Sequence, residues 1–267
     1  MHLTHVILTL NEAAEIAACV RSLGPADELL LLDSGSSDDT VRRCREASVG
    51  LPFRVRTVTR PFQNYADQRN AALELARSDW VLFIDADERS SPEQAVEMAL
   101  RTQAPDAPAG FWIPRRNVIL GHGMHYTGWW PDYQLRLFQT RLGRYDPDRP
   151  VHELVELRGE AQHLQAPLLH YNYRTLRQFF TKQQRYALHE ARQLQRQGQR
   201  FRPRALAGQP LREFVRRYVQ LSGWRDGGHG LLLSALMAWY RLEVLRELAR
   251  LPPRVDTRIQ LSPREKR

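Results

Sequence analysis

Two carboxylates stand one residue apart in this chain, directly after an apolar run. Asp85 and Asp87 follow residues 80–84, all of which are apolar. Such a run predicts a buried strand that reaches the protein surface where the acids begin. Side chains at positions i and i+2 of an extended segment point the same way, so both carboxylates can face one cleft. Hard oxygen ligands in this arrangement suit Mg²⁺ or Mn²⁺ holding a diphosphate. The alternative is a solvated strand exit that leads into a helix cap at residues 90–92.

A third acid has the same setting. Asp33 comes directly after the apolar segment 29–32, and open α/β sheets bind ligands at the edge where their strands end. A carboxylate there can accept hydrogen bonds from a nucleobase N–H or a ribose hydroxyl. Alternatively, Asp33 caps the turn that follows it. We assign a capping role to Asp38 and Asp39, because acids in the first turn of a helix complement its dipole.

Predicted strands and helices alternate along the N-terminal part of the chain, and these elements must position the acids. Asn11 is a good N-cap for the first helix. The alternation, with continuously apolar strands, predicts an α/β fold with a mostly parallel sheet covered by helices on both faces. The hydrophobic patterns predict strands at residues 3–10, 29–32, 53–58 and 80–84, and helices at residues 11–23, 38–47 and 65–77.

The pattern changes twice further along the chain. Short strands are predicted at 110–114, 134–138 and 168–171, and helices near 175–197, 210–221 and 229–250. We therefore expect one domain over 1–173, made of two halves at 1–104 and 105–173. A helical extension over 174–251 and a disordered, charged tail over 252–267 complete the expected organisation.

Composition narrows the classes of protein. The 267 residues are 42% hydrophobic and 26% charged, which is typical of a globular protein, and the net charge is +9. Only Lys182 and Lys266 are lysines, so arginine supplies nearly all of the positive charge and favours an anionic partner. Cys19 and Cys44 are too few for a disulfide framework and fit a reduced cytosolic setting. No signal peptide, membrane-spanning run or nucleic-acid module is recognisable, so we expect neither a spanning protein nor a nucleic-acid binder.

Several motifs together resemble family-2 glycosyltransferases with a GT-A (Rossmann-like) fold. Their order and spacing are more specific than any one of them. The first four are Leu8-Thr9-Leu10-Asn11-Glu12, Asp33-Ser34-Gly35-Ser36-Ser37-Asp38-Asp39-Thr40, Gln68-Arg69-Asn70-Ala71-Ala72 and residues 80–88. Later motifs resemble the branch that holds the lipopolysaccharide core β-glucosyltransferases: residues 131–138, Val151-His152-Glu153, His170-Tyr171 and Gly223-Trp224-Arg225-Asp226-Gly227.

The resemblance implies transfer of a sugar, with inversion, from a nucleotide diphosphate donor to an acceptor hydroxyl. The half at 1–104 would bind the nucleotide-sugar, and the half at 105–173 would bind the acceptor. UDP-glucose is the donor that it favours, and a glycan or glycolipid of the bacterial surface, in particular lipopolysaccharide core, is the acceptor. A divalent Mn²⁺ or Mg²⁺ would assist the leaving diphosphate. The nucleotide-sugar site would comprise Asn11, Asp33, Arg69, Asp85, Asp87 and Arg136, with Asp87 as the main metal ligand, Asp85 beside it and His152 as a further ligand.

Inversion by direct displacement needs one general base, and two carboxylates compete for that role. Asp132 lies four residues before Arg136 and matches the family pattern, although Pro131 stands where many relatives carry a second acid. Glu153 is the rival. His152, its neighbour, is either a metal ligand or a structural histidine.

Two further segments are expected to serve the site. The glycine- and aromatic-rich loop 121–130 predicts a site-bordering loop with one buried tryptophan. Basic amphipathic helices near the C-terminus favour peripheral contact with an anionic membrane, on the inner face of the cytoplasmic membrane, where a lipid-linked acceptor would lie. The alternative is that these helices pack on the catalytic domain or a second subunit. An acceptor such as polyprenyl phosphate is the remaining enzymatic alternative.

Overall fold

The computed structural model describes residues 2–146 and 154–252. These residues form two compact units. The first comprises the described residues of Met1–His125 and Trp129–Asn172, and the second comprises Tyr126–Gly128 and the described residues from Tyr173 to Pro252. The predicted tail beyond residue 252 and the pair His152 and Glu153 lie outside the described residues.

The first unit is built on one sheet, which has ten strands among the described residues. The strands are β1 (Leu3–Thr9), β2 (Glu28–Asp33), β3 (Arg54–Thr59), β4 (Trp80–Phe83), β5 (Glu88–Arg89), β6 (Gly110–Ile119), β7 (His122–Gly123), β8 (Asp132–Gln139), β11 (Ala161–His163) and β12 (Leu168–Tyr173), while β9 (Gly143–Tyr145) and β10 (Val155–Leu157) form a separate pair. The order in the sheet is β3-β2-β1-β4-β8-β6-β12-β5, with β7 and β11 also paired to β6. β3, β2, β1 and β4 run parallel, and β8 lies antiparallel to both β4 and β6. The predicted fold class, a mixed and mostly parallel sheet, is therefore confirmed.

Helices cover both faces of this sheet, as the wholly apolar strands require. Every residue of β4 is buried, and the four leucines of β2 have no exposed surface. Two hydrophobic clusters lie on opposite faces, because alternate side chains of one strand point to opposite sides. The helices of this unit are α1 (Ile16–Ser22), α2 (Thr40–Ala47), α3 (Tyr65–Leu75) and α4 (Pro92–Thr102).

The predicted helix start at Asn11 is wrong. Helix α1 begins at Ile16, after a turn closed by the bond from the Ile16 N–H to the Glu12 carbonyl. Asn11 has a positive φ of 58°, and its side-chain oxygen accepts a hydrogen bond from the Ser37 N–H at 2.9 Å. The side chain that would cap a helix therefore ties two loops of the sheet edge together instead.

The second unit is helical. It contains α5 (Leu176–Arg196), α6 (Ala205–Val215), a π-helical turn (Arg216–Gln220), a 3₁₀ turn (Gly223–Asp226) and α7 (Gly227–Arg250). Aromatic residues of α5 pack on α7, with the Phe180 and Trp239 rings 4.7 Å apart. The helix predicted at 210–221 starts earlier and ends at Val215, where the π-helical turn replaces it.

The described part of the chain contains no helix that is long and apolar enough to cross a membrane.

Candidate active site

Asp85 emerges at the end of β4 and meets an arginine from the next strand. The register of β4 and β8 sets Leu82 opposite Leu137, which brings Arg136 beside the strand exit. Arg136 binds Asp85 through two nitrogens, at 3.2 and 2.6 Å. Burial would raise the pKa of Asp85, but the guanidinium groups of Arg136 and Arg69 hold it well below its ordinary value. Asp85 is therefore a fixed anion at this edge.

Glu88 is a second carboxylate at this edge, and it is fully buried. Its Oε2 accepts a hydrogen bond from the Asp85 N–H at 2.9 Å, whereas its Oε1 has no hydrogen-bond partner. Arg115 and Arg136 approach that oxygen at 3.5 and 3.8 Å. Burial raises the pKa of Glu88 despite these cations, and the neighbouring Asp85 charge adds to the rise. A proton taken up by the pair therefore belongs on Glu88.

Asp132 faces Arg115 directly across β8 and β6, where the two residues are register partners. Its Oδ2 accepts hydrogen bonds from Nε and Nη2 of Arg115, at 2.8 and 2.6 Å, and from the Asn117 amide at 3.3 Å. Its Oδ1 accepts one from Gln134 at 2.7 Å. Burial opposes ionisation, yet Arg115 and the two amides lower the pKa of Asp132, so the carboxylate is charged at neutral pH. Asp132 and Gln134 share one face of β8, because side chains alternate along a strand. Arg136 lies where the register of β8 against β6 shifts by one residue.

Asp87 meets a histidine from the far side of the sheet. Nε2 of His170 lies 3.5 Å from Oδ2 of Asp87, and Nδ1 of His170 contacts the Asn117 side-chain oxygen at 2.7 Å. His170 is the register partner of Glu88 in the pairing of β12 with β5. The contact through Nδ1 holds the imidazole so that Nε2 is directed toward Asp87.

Asp33, at the end of β2, is buried, and its carboxylate is hydrogen-bonded to the turn that follows it. Its carboxylate accepts hydrogen bonds from the N–H groups of Gly35 and Ser36 and from the hydroxyls of Ser36 and Thr9. Four such bonds match the capacity of a carboxylate. This geometry supports the capping alternative for Asp33, and the ligand role stays a prediction.

Asp38 lies one residue before the N-cap position of α2, and its carboxylate accepts hydrogen bonds from the N–H groups of Thr40, the first residue of the helix, and Ala13. Asp39 precedes α2 without a side-chain cap bond and pairs with Arg42 instead.

Arg69, on α3, lies over two aromatic rings. Its guanidinium carbon is 5.3 Å from the Phe83 ring centre and 5.4 Å from that of Tyr145. Its charge also acts on Asp85, whose pKa it lowers. Arg69 is thus held near the strand exit, and its role toward phosphates stays a prediction.

Comparison with known proteins decides the family. The model of the family described as "Glycosyl transferase family 2" matches residues 4–153, which is more than half of the chain. The chain belongs to glycosyl transferase family 2. It is therefore a glycosyltransferase, and the strand exit described above lies within the matched segment.

Relatives of similar length support this membership. The lipopolysaccharide core biosynthesis glycosyltransferase LpsC of Rhizobium meliloti is 29% identical over 239 residues, which cover 89% of this chain and 88% of that protein. An uncharacterized glycosyltransferase of Rickettsia typhi is 26% identical over 261 residues, 91% of this chain and 86% of the relative. A crystal structure of S. aureus TarS 1-349 shares the fold, with a TM-score of 0.50 at 14% identity, over 93% of this chain and 89% of that one. The predicted GT-A fold is thereby confirmed.

The divalent metal expected in this family-2 enzyme can be tested against the donor atoms at the edge. No cluster of three or more histidine, cysteine, aspartate or glutamate side chains suited to a metal occurs in residues 2–146 and 154–252. Both carboxylate oxygens of Asp85 accept hydrogen bonds from Arg136, so Asp85 does not suit direct ligation of a metal ion in this arrangement. Asp87 and His170 do fit as a partial set, because a diphosphate would supply the remaining oxygen ligands.

The loop 121–130 differs from its prediction in one respect. Both tryptophans are half-buried, so the expected buried tryptophan is wrong. Instead, Met124 and Thr127 are the buried residues of the loop. The Trp130 ring lies under the Arg116 guanidinium, 4.9 Å from its centre, and a cation over an indole face keeps that side chain near the surface.

Four residues of the cluster were not predicted from the sequence to belong to the site: Glu88, Arg115, Asn117 and His170. Glu88 and His170 stood inside motifs that carried the family resemblance, which was the available signal. Arg115 and Asn117 lie on β6, predicted only as far as residue 114. The strand in fact continues to Ile119, and its second half brings both side chains to Asp132.

Proposed function

We propose that this family-2 enzyme transfers glucose, with inversion, from UDP-glucose to a lipopolysaccharide core acceptor, with Mn²⁺ or Mg²⁺ bound at Asp87. The observation that carries the proposal is the convergence of three side chains at the sheet edge: Asp87 lies 3.5 Å from His170, and hydrogen bonds of the Asn117 side chain link His170 to Asp132. The family supports the sugar transfer, and the name of the LpsC relative supports the core acceptor.

The site residues divide between donor and acceptor. Asp87 and His170 would hold the cation, which neutralises charge on the leaving diphosphate. Asn11, Asp33 and Arg69 would contact the nucleoside and phosphates. Arg136 would act on the donor through Asp85, whose carboxylate it fixes at the strand exit.

Asp132 would accept the proton of the acceptor hydroxyl. The hydroxyl oxygen attacks the anomeric carbon on the face opposite the nucleotide, the bond from that carbon to the diphosphate breaks, and the proton passes to the carboxylate. Asp132 suits this role because it is ionised, partly exposed, and held by Arg115, while Oδ1 accepts one hydrogen bond, from Gln134. Glu153 stays the rival base.

The first test is calorimetric binding of UDP, GDP, CDP and their sugars, each with and without Mn²⁺. We expect tight binding of UDP-glucose that depends on the metal. Asp87→Asn should abolish the metal-dependent part, while Glu74→Gln, a change at an exposed carboxylate remote from Asp87 in sequence, should bind as the unchanged protein does. If Asp87→Asn kept its metal-dependent affinity, Asp87 would be excluded as a metal ligand. If a nucleotide with another base bound instead, that nucleotide and not UDP would be assigned to the donor.

A membrane-bound acceptor also implies where in the cell the enzyme acts. We propose that the enzyme acts at the inner face of the cytoplasmic membrane as a peripheral protein. The basic balance of the chain, a net charge of +9, supports contact with an anionic surface.

A further inference from the structure

The second unit exposes a row of aliphatic side chains where α6 continues into the π-helical turn. Leu211, Val215 and Val219 are 64%, 38% and 57% exposed. Residues four apart share one face of a helix, so these three form a continuous apolar stripe. No described residue covers the stripe, and a globular protein seldom leaves contiguous apolar surface uncovered without a partner.

Arginines run beside the apolar stripe. Arg212 and Arg216 each follow a stripe residue in sequence, and both are exposed. Arg216 pairs with Glu213 at 2.8 Å, whereas the guanidinium of Arg212 makes no hydrogen bond or ion pair to any described residue. A row of aliphatic residues alongside a row of guanidinium groups is the pattern of a helix that lies in the headgroup region of an anionic membrane.

A cavity on the same unit adds positive charge beside the stripe. It has a volume of about 650 Å³ and is lined by Arg212, Arg216, Arg217 and Arg241 together with Glu190 and Glu213. Both carboxylates are already engaged: Glu213 by Arg216 and Arg217, and Glu190 by Arg241 and the Tyr240 hydroxyl. Four guanidinium groups against two carboxylates leave a cationic recess of a size that suits a phosphate headgroup.

Trp224 belongs to this unit as well and is 58% exposed, in the 3₁₀ turn that follows the π-helical turn. Exposed tryptophans at the ends of amphipathic segments anchor proteins at the membrane interface. Arg225, next to it, lies over the Tyr126 ring at 4.5 Å, which fixes the cation of this turn.

We propose that the apolar stripe, with Arg212 and Arg216, is a docking surface for an anionic phospholipid membrane. The charge of the flanking arginines and of the recess selects a membrane over an apolar protein partner. This inference rests on the proposed membrane contact and names the residues that make it. It does not depend on the donor or the metal.

The test is co-sedimentation of the full chain with vesicles of phosphatidylcholine alone and of phosphatidylcholine mixed with phosphatidylglycerol. We expect binding to the anionic vesicles that weakens with salt, and little binding to the neutral ones. The triple variant Leu211→Ser, Val215→Ser, Val219→Ser should lower the partition coefficient by about tenfold or more. The pair Arg212→Gln, Arg216→Gln should lower it by a similar factor and flatten the salt dependence.

Matched controls exist in the first unit. Val96 and Leu100 are 60% and 69% exposed and lie four residues apart on α4, so Val96→Ser, Leu100→Ser removes comparable apolar surface elsewhere. Arg45→Gln on α2 removes an exposed arginine. Both controls should bind vesicles as the unchanged protein does.

Three outcomes overturn the proposal. The first is equal binding to both kinds of vesicle, or binding to neither. The second is that the stripe variants bind vesicles like the controls. The third is a change in the molar mass of the stripe variants, measured by light scattering, which would show that the stripe is an interface between copies of the chain. UDP-glucose affinity is measured on the same variants. Absence of UDP-glucose binding in the unchanged protein would contradict the proposed function, and vesicle binding would still decide the docking surface.

Discussion

At the residue scale, the carboxylates of the site differ because their neighbours differ. Asp85 is held by two nitrogens of Arg136, which lowers its pKa. Glu88 has no exposed surface and one oxygen without a hydrogen-bond partner, and burial raises its pKa. Arg136 faces both acids, so burial and the number of hydrogen bonds separate their pKa values.

The pKa of Glu88 gives a signed prediction for stability. A raised pKa in the folded state means that this group favours folding below its unfolded pKa, and that the contribution is lost as pH rises through the folded value. Glu88→Gln removes this titration. The free energy of unfolding of Glu88→Gln, relative to the unchanged protein, should therefore increase between pH 4 and pH 7, as measured by urea denaturation at each pH.

Glu74→Gln is the control for this series, because Glu74 belongs to an exposed pair with Arg144 and such pairs contribute about 0–1 kcal/mol. A relative stability of Glu88→Gln that falls as pH rises would show that Arg115 and Arg136 outweigh the burial of the carboxylate.

The general base gives a second prediction at this scale. Asp132→Asn keeps the shape of the side chain and removes its capacity to take the acceptor proton. We expect kcat for sugar transfer to fall by about 10²-fold or more, with UDP-glucose affinity unchanged. Glu153→Gln should leave kcat within a few-fold. If Glu153→Gln shows the large loss and Asp132→Asn does not, the base is Glu153.

At the element scale, prediction from sequence succeeded where a strand is apolar along its whole length. The buried runs that became β2 and β4 were found within two residues of their ends. β5 and β7 have two residues each and were missed, because two residues carry no hydrophobic period. Helix α4 was predicted only as a cap at residues 90–92. Its exposed residues Val96 and Leu100 interrupt the separation of an apolar from a polar face on which helix prediction depends.

Two glycines of α7 give a matched prediction about helix packing. A Cβ on Gly230 would lie 1.8 Å from the Gly223 carbonyl oxygen, whereas a Cβ on Gly228 meets nothing within 4 Å. Gly230→Ala must displace backbone and should lower the free energy of unfolding by about 2 kcal/mol or more. Gly228→Ala should be neutral or raise it by up to about 1 kcal/mol, because alanine favours the helix.

Urea denaturation of both variants measures the difference, and helical circular dichroism checks that each is folded. Equal stability of the two variants would mean that α7 can shift away from the 3₁₀ turn at little cost.

At the scale of the whole molecule, the hydrophobic pattern predicted the acids that follow one strand but not the partners that other strands bring to them. Asp85 and Asp87 were found because they follow β4 directly. Their partners come from β8, β6 and β12, which the sheet order sets side by side beyond β4. That order follows from long-range pairing, for which local hydrophobic periodicity carries no signal. Arg115 could therefore be recognised only once the strands had been paired, whereas His170 already stood in a motif of the family resemblance.

Because a donor that binds the folded protein alone stabilises it, the proposed site should be visible in global unfolding. With UDP-glucose and Mn²⁺ at about 100 times the dissociation constant, the free energy of unfolding should rise by about 2.7 kcal/mol. Amides of β4 and β8 that exchange through global opening would then slow by about 100-fold, which hydrogen exchange with mass spectrometry measures. Asp87→Asn should show no such slowing with the same ligands, provided that it is folded. Slowing in Asp87→Asn as large as in the unchanged protein would mean that the metal and donor bind without Asp87, and the ligand set would have to be sought at His170 and its neighbours.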